Sequence, residues 1–561
     1  MRKFLGSVII IVTITLLSCI QIGAKDNITV DSNFVNLETI KNQLQVGQLQ
    51  KVEFNLFSRD VWFEFCPSNT GSYMIHTYGG LFLQAELYNS TKDIKLDCSN
   101  KKDSNISFAR TFIQGQKYYI HITVDSEVAL FGSYYILTKY IDNPDDELFS
   151  QQWGLLNEES GLDINILPAW ESIRKEQLKE VYIGIADTGV YLQHVDLENR
   201  LNKDLSYNFV HNSTVLYPEA EKYSTLAAKG GHGTAVTGII GAETGNKIGI
   251  SGICSNSSLI HMKVLGKRIQ NVPYSGSVAA FVQAVEYAQE NNIKVINCSF
   301  GGASPSVTEL DAMEKAGDIL FVIAAGNKGN NLDEIPEYPA CYYLKNSLVV
   351  SSVNRKGEIS SFSNYGGPCA IAAPGENILS TYPEDIFDTS SGTSMSAPFV
   401  TGVAGLIYSE YPYFSPEQVI KSIVSQDSVT YLEQLKGKVS SRGVLNAYKA
   451  IKFAKKQNIS NIIDRMKKIF IFDSKEKIME YLRFAKESSK TNQIILKIAG
   501  NKKIEDIVTE SKSDLKVLAY LESVDAYVLE CNNIEECEAA IERFNHCNNV
   551  SYAEMNYIRS E

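Results

Sequence analysis

Ser391-Gly392-Thr393-Ser394-Met395-Ser396-Ala397-Pro398, followed by small and branched apolar residues as far as Ile407, is the segment around which this 561-residue chain is organised. It sets a serine hydroxyl at the mouth of a helix whose later turns are built to be buried. Pro398 then stands where a first helical turn has no use for an amide hydrogen. The amino end of a helix favours negative charge.

Two upstream segments give that serine partners. Val181 to Val190 reads VYIGIADTGV, an apolar run of the kind a buried parallel strand needs, which delivers Asp187 at its carboxyl end and turns at Gly189. Gly231 to Ile240 reads GHGTAVTGII and places His232 just ahead of a helix with small residues on its near faces. The chain order Asp187, His232, Ser394 is one of three in which unrelated folds carry a serine-protease triad. With the motifs D-T-G, G-H-G-T and G-T-S-M-S-A-P, and AAGN at Ala324 to Asn327, the chain resembles the subtilisin family of serine endopeptidases from Phe149 to Ala450. The resemblance implies an α/β catalytic domain, a parallel sheet with helices on both faces.

Amide hydrolysis explains these residue types. A serine hydroxyl is a poor nucleophile at neutral pH and needs a base within hydrogen-bond reach, which His232 would be. Asp187 would accept the other imidazole hydrogen, fix the tautomer and stabilise the imidazolium. The resemblance assigns the oxyanion donors to the Asn327 side-chain amide and the Ser394 backbone amide. Losing one such donor costs about 3–4 kcal/mol of transition-state stabilisation, a magnitude measured on subtilisin itself.

The same resemblance places Ser299, Phe300 and Gly301, with Ala324, Ala325 and Gly326, as walls of the primary specificity pocket, and Ser275-Gly276 as a segment that pairs with substrate like an added strand. Glu337, before Tyr338-Pro339, falls at the pocket floor. A buried carboxylate needs a partner, which implies a preference for Lys or Arg before the scissile bond, unless Lys328 neutralises it instead. Calcium is implied as a structural ion, with Asp196 and Asn246 as ligands on an oxygen-lined loop.

The formal net charge is −12 with both signs interspersed, which gives no case for nucleic-acid binding. Hydrophobic residues make up 44% of the chain, ample for several cores. Arg2 and Lys3 precede an apolar stretch from Phe4 to Leu17, the form of a secretory signal over residues 1–24. Leu16-Leu17-Ser18-Cys19 resembles a bacterial lipobox, making Cys19 a lipidation candidate. Ile22-Gly23-Ala24 is a competing cleavage site, and an uncleaved anchor is the third alternative. The expected location is extracellular or at the cell surface.

Ten cysteines in an exported chain suggest pairing. Cys66 with Cys98 is one candidate. Cys341 with Cys369 is another, because the resemblance makes their loops neighbours. Cys254 and Cys298 read as buried thiols, and Cys531, Cys537 and Cys547 form an odd set.

Residues 28–142 alternate apolar with polar or aromatic residues at period two, the pattern of an all-β sandwich, and resemble pre-peptidase domains of secreted proteases. Ile141 to Glu147 reads as a linker into the catalytic domain, 145–453. A lysine-rich helical linker, 454–490, leads to a unit over 491–561 with strand, helix, two strands, helix and strand in order, an α+β ferredoxin-like arrangement. That unit resembles the subtilisin propeptide, an inhibitor and folding assistant, here placed after the catalytic domain. Its tail, Ile558 to Glu561, is the segment expected to enter the cleft. The competing reading is an inactive protease scaffold serving as a surface binding or regulatory protein, for which a broken triad would be expected.

Overall fold

The computed structural model describes residues 29–30, 42–54, 60–78, 83–98, 106–124, 132–173, 178–217, 231–269, 272–276, 278–470, 490–498, 504, 515–521, 526–531, 536–537, 540–541, 544 and 550–557. Cys19, the signal segment and the tail Ile558–Glu561 lie outside them. The chain divides into two compact units, Met1–Gln457 and Asn458–Glu561.

The first unit begins with two five-stranded sheets. One has the order Thr29–Val30, Gln48–Phe54, Gly132–Ile141, Gly71–Tyr78, Ser107–Phe112; the other runs Asn42–Gln43, Asp60–Phe65, Tyr118–Val124, Leu83–Tyr88, Lys95–Cys98. Period-two alternation decides their faces: in Tyr118–Val124 the side chains of Tyr118, Ile120, Ile122 and Val124 are buried, while Tyr119, His121 and Thr123 are partly exposed. Phe63, Phe65, Tyr73, Phe108, Phe112 and Ile136, from both sheets, share one core.

The strand order separates the first cysteine pair. Cys66 follows the Asp60–Phe65 strand and Cys98 ends a strand three places across the same sheet. That is roughly 14 Å at 4.8 Å per strand, about twice the Cα separation a disulfide spans. Both are free thiols, as are Cys254 and Cys298, which are buried. Cys341 and Cys369 are likewise unpaired: Cys341 is half-buried in a short turn, and the buried Cys369 thiol faces the Asn364 carbonyl.

Next comes a nine-stranded sheet in the order Tyr207–Asn208, Ser257–Lys263, Val181–Asp187, Val295–Cys298, Leu320–Ala324, Ser347–Val353, Cys369–Pro374, Gly443–Leu445, Val429–Tyr431. Only the last strand pairs antiparallel. Strands covered on both sides must be apolar on both, and the Asp187 strand is: Ile183 and Ile185 enter the core beneath helices His232–Gly241 and Thr393–Glu410, and Ala186 enters the core beneath Val278–Glu290 and Val307–Lys315. Small residues let the Thr393–Glu410 helix lie on the sheet. A Cβ at Gly405 would stand 2.7 Å from Ile183 Cδ1, and one at Gly402 would stand 2.6 Å from Ile253 Cβ.

The helix begins at Thr393, so Pro398 is its sixth residue and lies beyond the first turn. The expectation that its missing N–H falls among the unneeded ones is therefore wrong. The helix interior lacks one hydrogen bond, to the Ser394 carbonyl four residues back.

The two-sheet part is fastened to the rest of its unit by side chains. Thr111 donates to the buried Asp163 carboxylate at 2.6 Å, Lys449 pairs with Asp97 at 2.7 Å, and Ser107 bonds the Tyr448 hydroxyl. Helix Ala447–Phe470 runs straight through the expected boundary at residue 453, and its Ile451 and Ala454 belong to the main core. In the second unit, four antiparallel strands take the order Lys516–Leu521, Ala526–Glu530, Lys490–Ile498, Val550–Tyr557. Cys531 and Cys537 form a disulfide there that spacing alone had left open.

Candidate active site

Asp187 ends its strand with no exposed surface. Its Oδ1 accepts His232 Nδ1–H at 2.7 Å and the Thr188 amide at 2.7 Å. His232 opens the helix His232–Gly241, and the next residue, Gly233, donates its amide to Thr188 Oγ1 at 3.0 Å. Glycine is required at 233, because a Cβ there would stand 2.5 Å from the Gly189 carbonyl. Burial disfavours the His232 imidazolium, but the charge and hydrogen bond of Asp187 together outweigh it and raise the pKa above the ordinary 6.5. The same hydrogen bond fixes the neutral tautomer with its proton on Nδ1, leaving Nε2 as the basic atom.

Ser394 is the second residue of its helix, and its hydroxyl donates to the Ser299 carbonyl at 3.2 Å. Ser299 Oγ donates back to the Ser394 carbonyl at 2.9 Å, which is the acceptor that Pro398 leaves without a helical partner. Ser299 is held in turn by Asn297 Nδ2 at 2.8 Å, and Asn297 by Thr401 at 2.9 Å. No hydrogen bond joins His232 to Ser394 among the described residues. Such contacts often tighten only when substrate is bound.

Asn327 is oriented by Thr393, whose amide and hydroxyl both donate to Asn327 Oδ1, at 2.8 and 2.9 Å. That turns the NH2 group the other way. A Cβ at Gly392 would lie 3.4 Å from Asn327 Nδ2 and 3.7 Å from the Ser394 amide nitrogen, so both donors border one space that the absent side chain keeps open. Two N–H groups converging beside a nucleophile can bind a developing oxyanion.

Behind this space, Gly302 and Tyr338 exchange backbone hydrogen bonds at 2.8 and 2.7 Å, joining the Ser299-Phe300-Gly301 segment to the Glu337 segment. Asn364 Nδ2 donates to the Ala325 carbonyl at 2.9 Å and the Asn364 amide to the Gly326 carbonyl at 2.9 Å, fixing the segment that follows Ala324. Gly326 has φ +102°, and a Cβ there would reach Glu337 Oε2 at 2.6 Å. The Glu337 carboxylate, 8% exposed, pairs with Lys328 Nζ at 2.7 Å. Ser275 and Gly276 end one strand of a hairpin and pair with Lys267 and Leu265.

Asp196 and Asn246 are brought together, Asn246 Nδ2 donating to Asp196 Oδ1 at 3.0 Å, while the Asn246 oxygen is taken by the Ile248 amide. Asp146, which the sequence placed in a linker, joins them. It is buried, and it accepts the amides of Gly245 and Asn246 at 2.8–2.9 Å. Burial pushes the Asp196 pKa up to about 7, and the neighbouring Asp146 and Glu243 charges add to this. All four oxygens of these two carboxylates accept donors, Asp196 from Asn246 and the Ile250 amide and Asp146 from the Gly245 and Asn246 amides and the Ser251 hydroxyl, so they do not present the roughly six to eight free oxygens a calcium ion needs. Asn246, presenting nitrogen, does not add to them, and no group of three or more His, Cys, Asp or Glu occurs among the described residues.

Residues 178–448 match the model of the Subtilase family. Subtilisin DY of Bacillus licheniformis is 36% identical over 242 residues, 43% of this chain and 80% of that protein. Thermitase of Thermoactinomyces vulgaris is 35% identical over 274 residues, 48% and 88% respectively. A solved structure of proteases from Pseudoalteromonas arctica covers 56% of this chain and all of that one at 26% identity and a TM-score of 0.47.

Proposed function

We propose, for a chain that belongs to the subtilase family and is a serine endopeptidase, that Asp187, His232 and Ser394 are its triad and that Asn327 and the Ser394 amide form its oxyanion hole. The observation that carries this reading is the 2.7 Å bond between His232 and a fully buried Asp187. In the reaction, the Ser394 hydroxyl exchanges the Ser299 carbonyl for His232 Nε2, gives up its proton there and attacks the scissile carbonyl carbon. The oxyanion enters the space beside Gly392, and the imidazolium returns its proton to the departing amine. Water then repeats the sequence on the acyl-enzyme. A fluorophosphonate probe should label Ser394 in the wild type and leave Ser394→Ala unlabelled. Absence of labelling both in the folded full chain and in the folded chain ended after Gln457 would refute the assignment.

The nearly buried Glu337 carboxylate, expected at the pocket floor, supports selection of Lys or Arg before the scissile bond, in competition with Lys328. The structural calcium expected on Asp196 and Asn246 does not fit the residues as they stand, because Asn246 donates its nitrogen to Asp196 and its oxygen is taken by the Ile248 amide.

Export, with lipid attachment at Cys19 or cleavage after Ala24, rests on the amino-terminal sequence alone. The two-sheet segment is read as a pre-peptidase β-sandwich, and the strand order of the second unit is the one a split βαβ unit produces, which supports a propeptide-like inhibitor of the chain's own catalytic domain. A cut at residue 450 would strip Ile451 and Ala454 from the core, so the chain should be ended after Gln457. Greater activity or failure to fold is expected; unchanged folding and activity would end this reading.

A further inference from the structure

A second imidazole lies behind the first. His261, fully buried on strand Ser257–Lys263, contacts Thr188 and Gly233 and has no place in the reaction described above. Its Nε2 lies 3.3 Å from the Thr188 carbonyl; a carbonyl only accepts, so Nε2 carries the proton. Its Nδ1 makes a long 3.5 Å contact to Thr237 Oγ1, and Thr237 spends its own proton on the Gly233 carbonyl at 2.6 Å. A Cβ at Gly233 would meet His261 Cε1 at 2.8 Å, so the ring lies directly against the start of the His232 helix.

Thr188 is where these contacts meet. Its amide donates to Asp187 Oδ1, its hydroxyl accepts from the Gly233 amide beside His232, and its carbonyl accepts from His261. One residue thus sets both the rotamer of the acid and the position of the base, and His261 grips its remaining polar group. We infer that His261 is a positioning residue for hydrolysis, whose neutral imidazole holds the Thr188 peptide and through it the Asp187–His232 pair. Burial lowers its pKa to about 4, with Asp187 opposing and Lys263 reinforcing the shift, so it stays neutral across the working range and adds no charge beside the pair.

The inference rests on the triad reading, and its test separates the two. Glutamine at 261 carries an amide nitrogen about where Nε2 lies, whereas asparagine reaches only as far as Nδ1. His261→Gln should keep kcat within about threefold of wild type. His261→Asn should lose about tenfold in kcat at unchanged KM, with the acidic limb of its pH profile moved toward lower pH as His232 loses the grip of Asp187. The His232 Nδ1 proton resonance reads the same bond without turnover: it should hold in His261→Gln and shift in His261→Asn. If His261→Asn fails to fold, His261→Leu, which fills the space and donates nothing, carries the same expectation. Equal kcat and equal Nδ1 resonances in the Gln variant and its Asn or Leu counterpart would overturn the inference, whatever becomes of the triad assignment.

Discussion

Specificity should follow the Lys328–Glu337 pair, and the structure allows the size of the effect to be worked out. At an effective dielectric of about 20, unit charges roughly 3 Å apart attract by about 5 kcal/mol. Lys328 is 61% exposed, however, and water screens most of that; pairs of this kind contribute about 0–1 kcal/mol. A substrate guanidinium enclosed in the pocket meets the same carboxylate with less water, and a hydrogen bond to a charged group contributes about 1.5–3 kcal/mol. Displacing Lys328 takes back up to about 1 kcal/mol of this. Lys328→Ala should therefore raise the ratio of kcat/KM for an Arg over a Phe substrate by about fivefold. Glu337→Gln, which keeps the size and removes the charge, should lower it about tenfold. Initial rates on two peptide anilides differing only in the residue before the scissile bond, at low salt, measure both. A Phe preference in wild type, or a ratio indifferent to Glu337→Gln, would refute the reasoning.

Three other outcomes are expected. Because the active base must be neutral and Asp187 raises the His232 pKa, the acidic limb of kcat/KM should lie above pH 6.5, and Asp187→Asn should bring it down. The sign for stability is opposite: the pairing stabilises fully below 6.5 and is lost as pH rises through the raised folded value, which the Tm of Ser394→Ala against the Asp187→Asn, Ser394→Ala double variant will show. Thr393→Val keeps the amide bond to Asn327 and deletes the hydroxyl one, so kcat should fall about five- to tenfold with KM unchanged. Thr111→Val leaves a buried carboxylate oxygen of Asp163 short of a donor and should cost about 1–3 kcal/mol of unfolding free energy by denaturant titration.

Contiguous segments carried most of what the sequence disclosed. The unbroken apolar run before Asp187 could only be a strand covered on both faces, and the glycines after Ser394 could only serve a helix pressed against something. Contacts between distant segments stayed hidden. Asp146 looked like linker because its partners lie about 100 residues away, at Gly245, Asn246 and Ser251. Cys66 and Cys98 looked pairable because periodicity reveals strands and not their order. The first unit runs to Gln457, a few residues past 453, because a lysine-rich surface says nothing of the opposite face, where Ala454 is buried. Pro398 misled by position: Gly392 is extended, so the helix starts at Thr393 and the proline falls one turn too late to be harmless.

That misplaced proline has a lasting effect. The hole it leaves in the helix is filled by the Ser299 hydroxyl, and the Ser299 carbonyl receives the Ser394 hydroxyl in exchange. The proposed nucleophile and the proposed pocket residue are thereby tied by two hydrogen bonds, and the one from Ser299 to the Ser394 carbonyl remains when the Ser394 hydroxyl turns to His232. On the proposed reading, a change at Ser299 that alters substrate choice is expected to alter the rate of cutting as well.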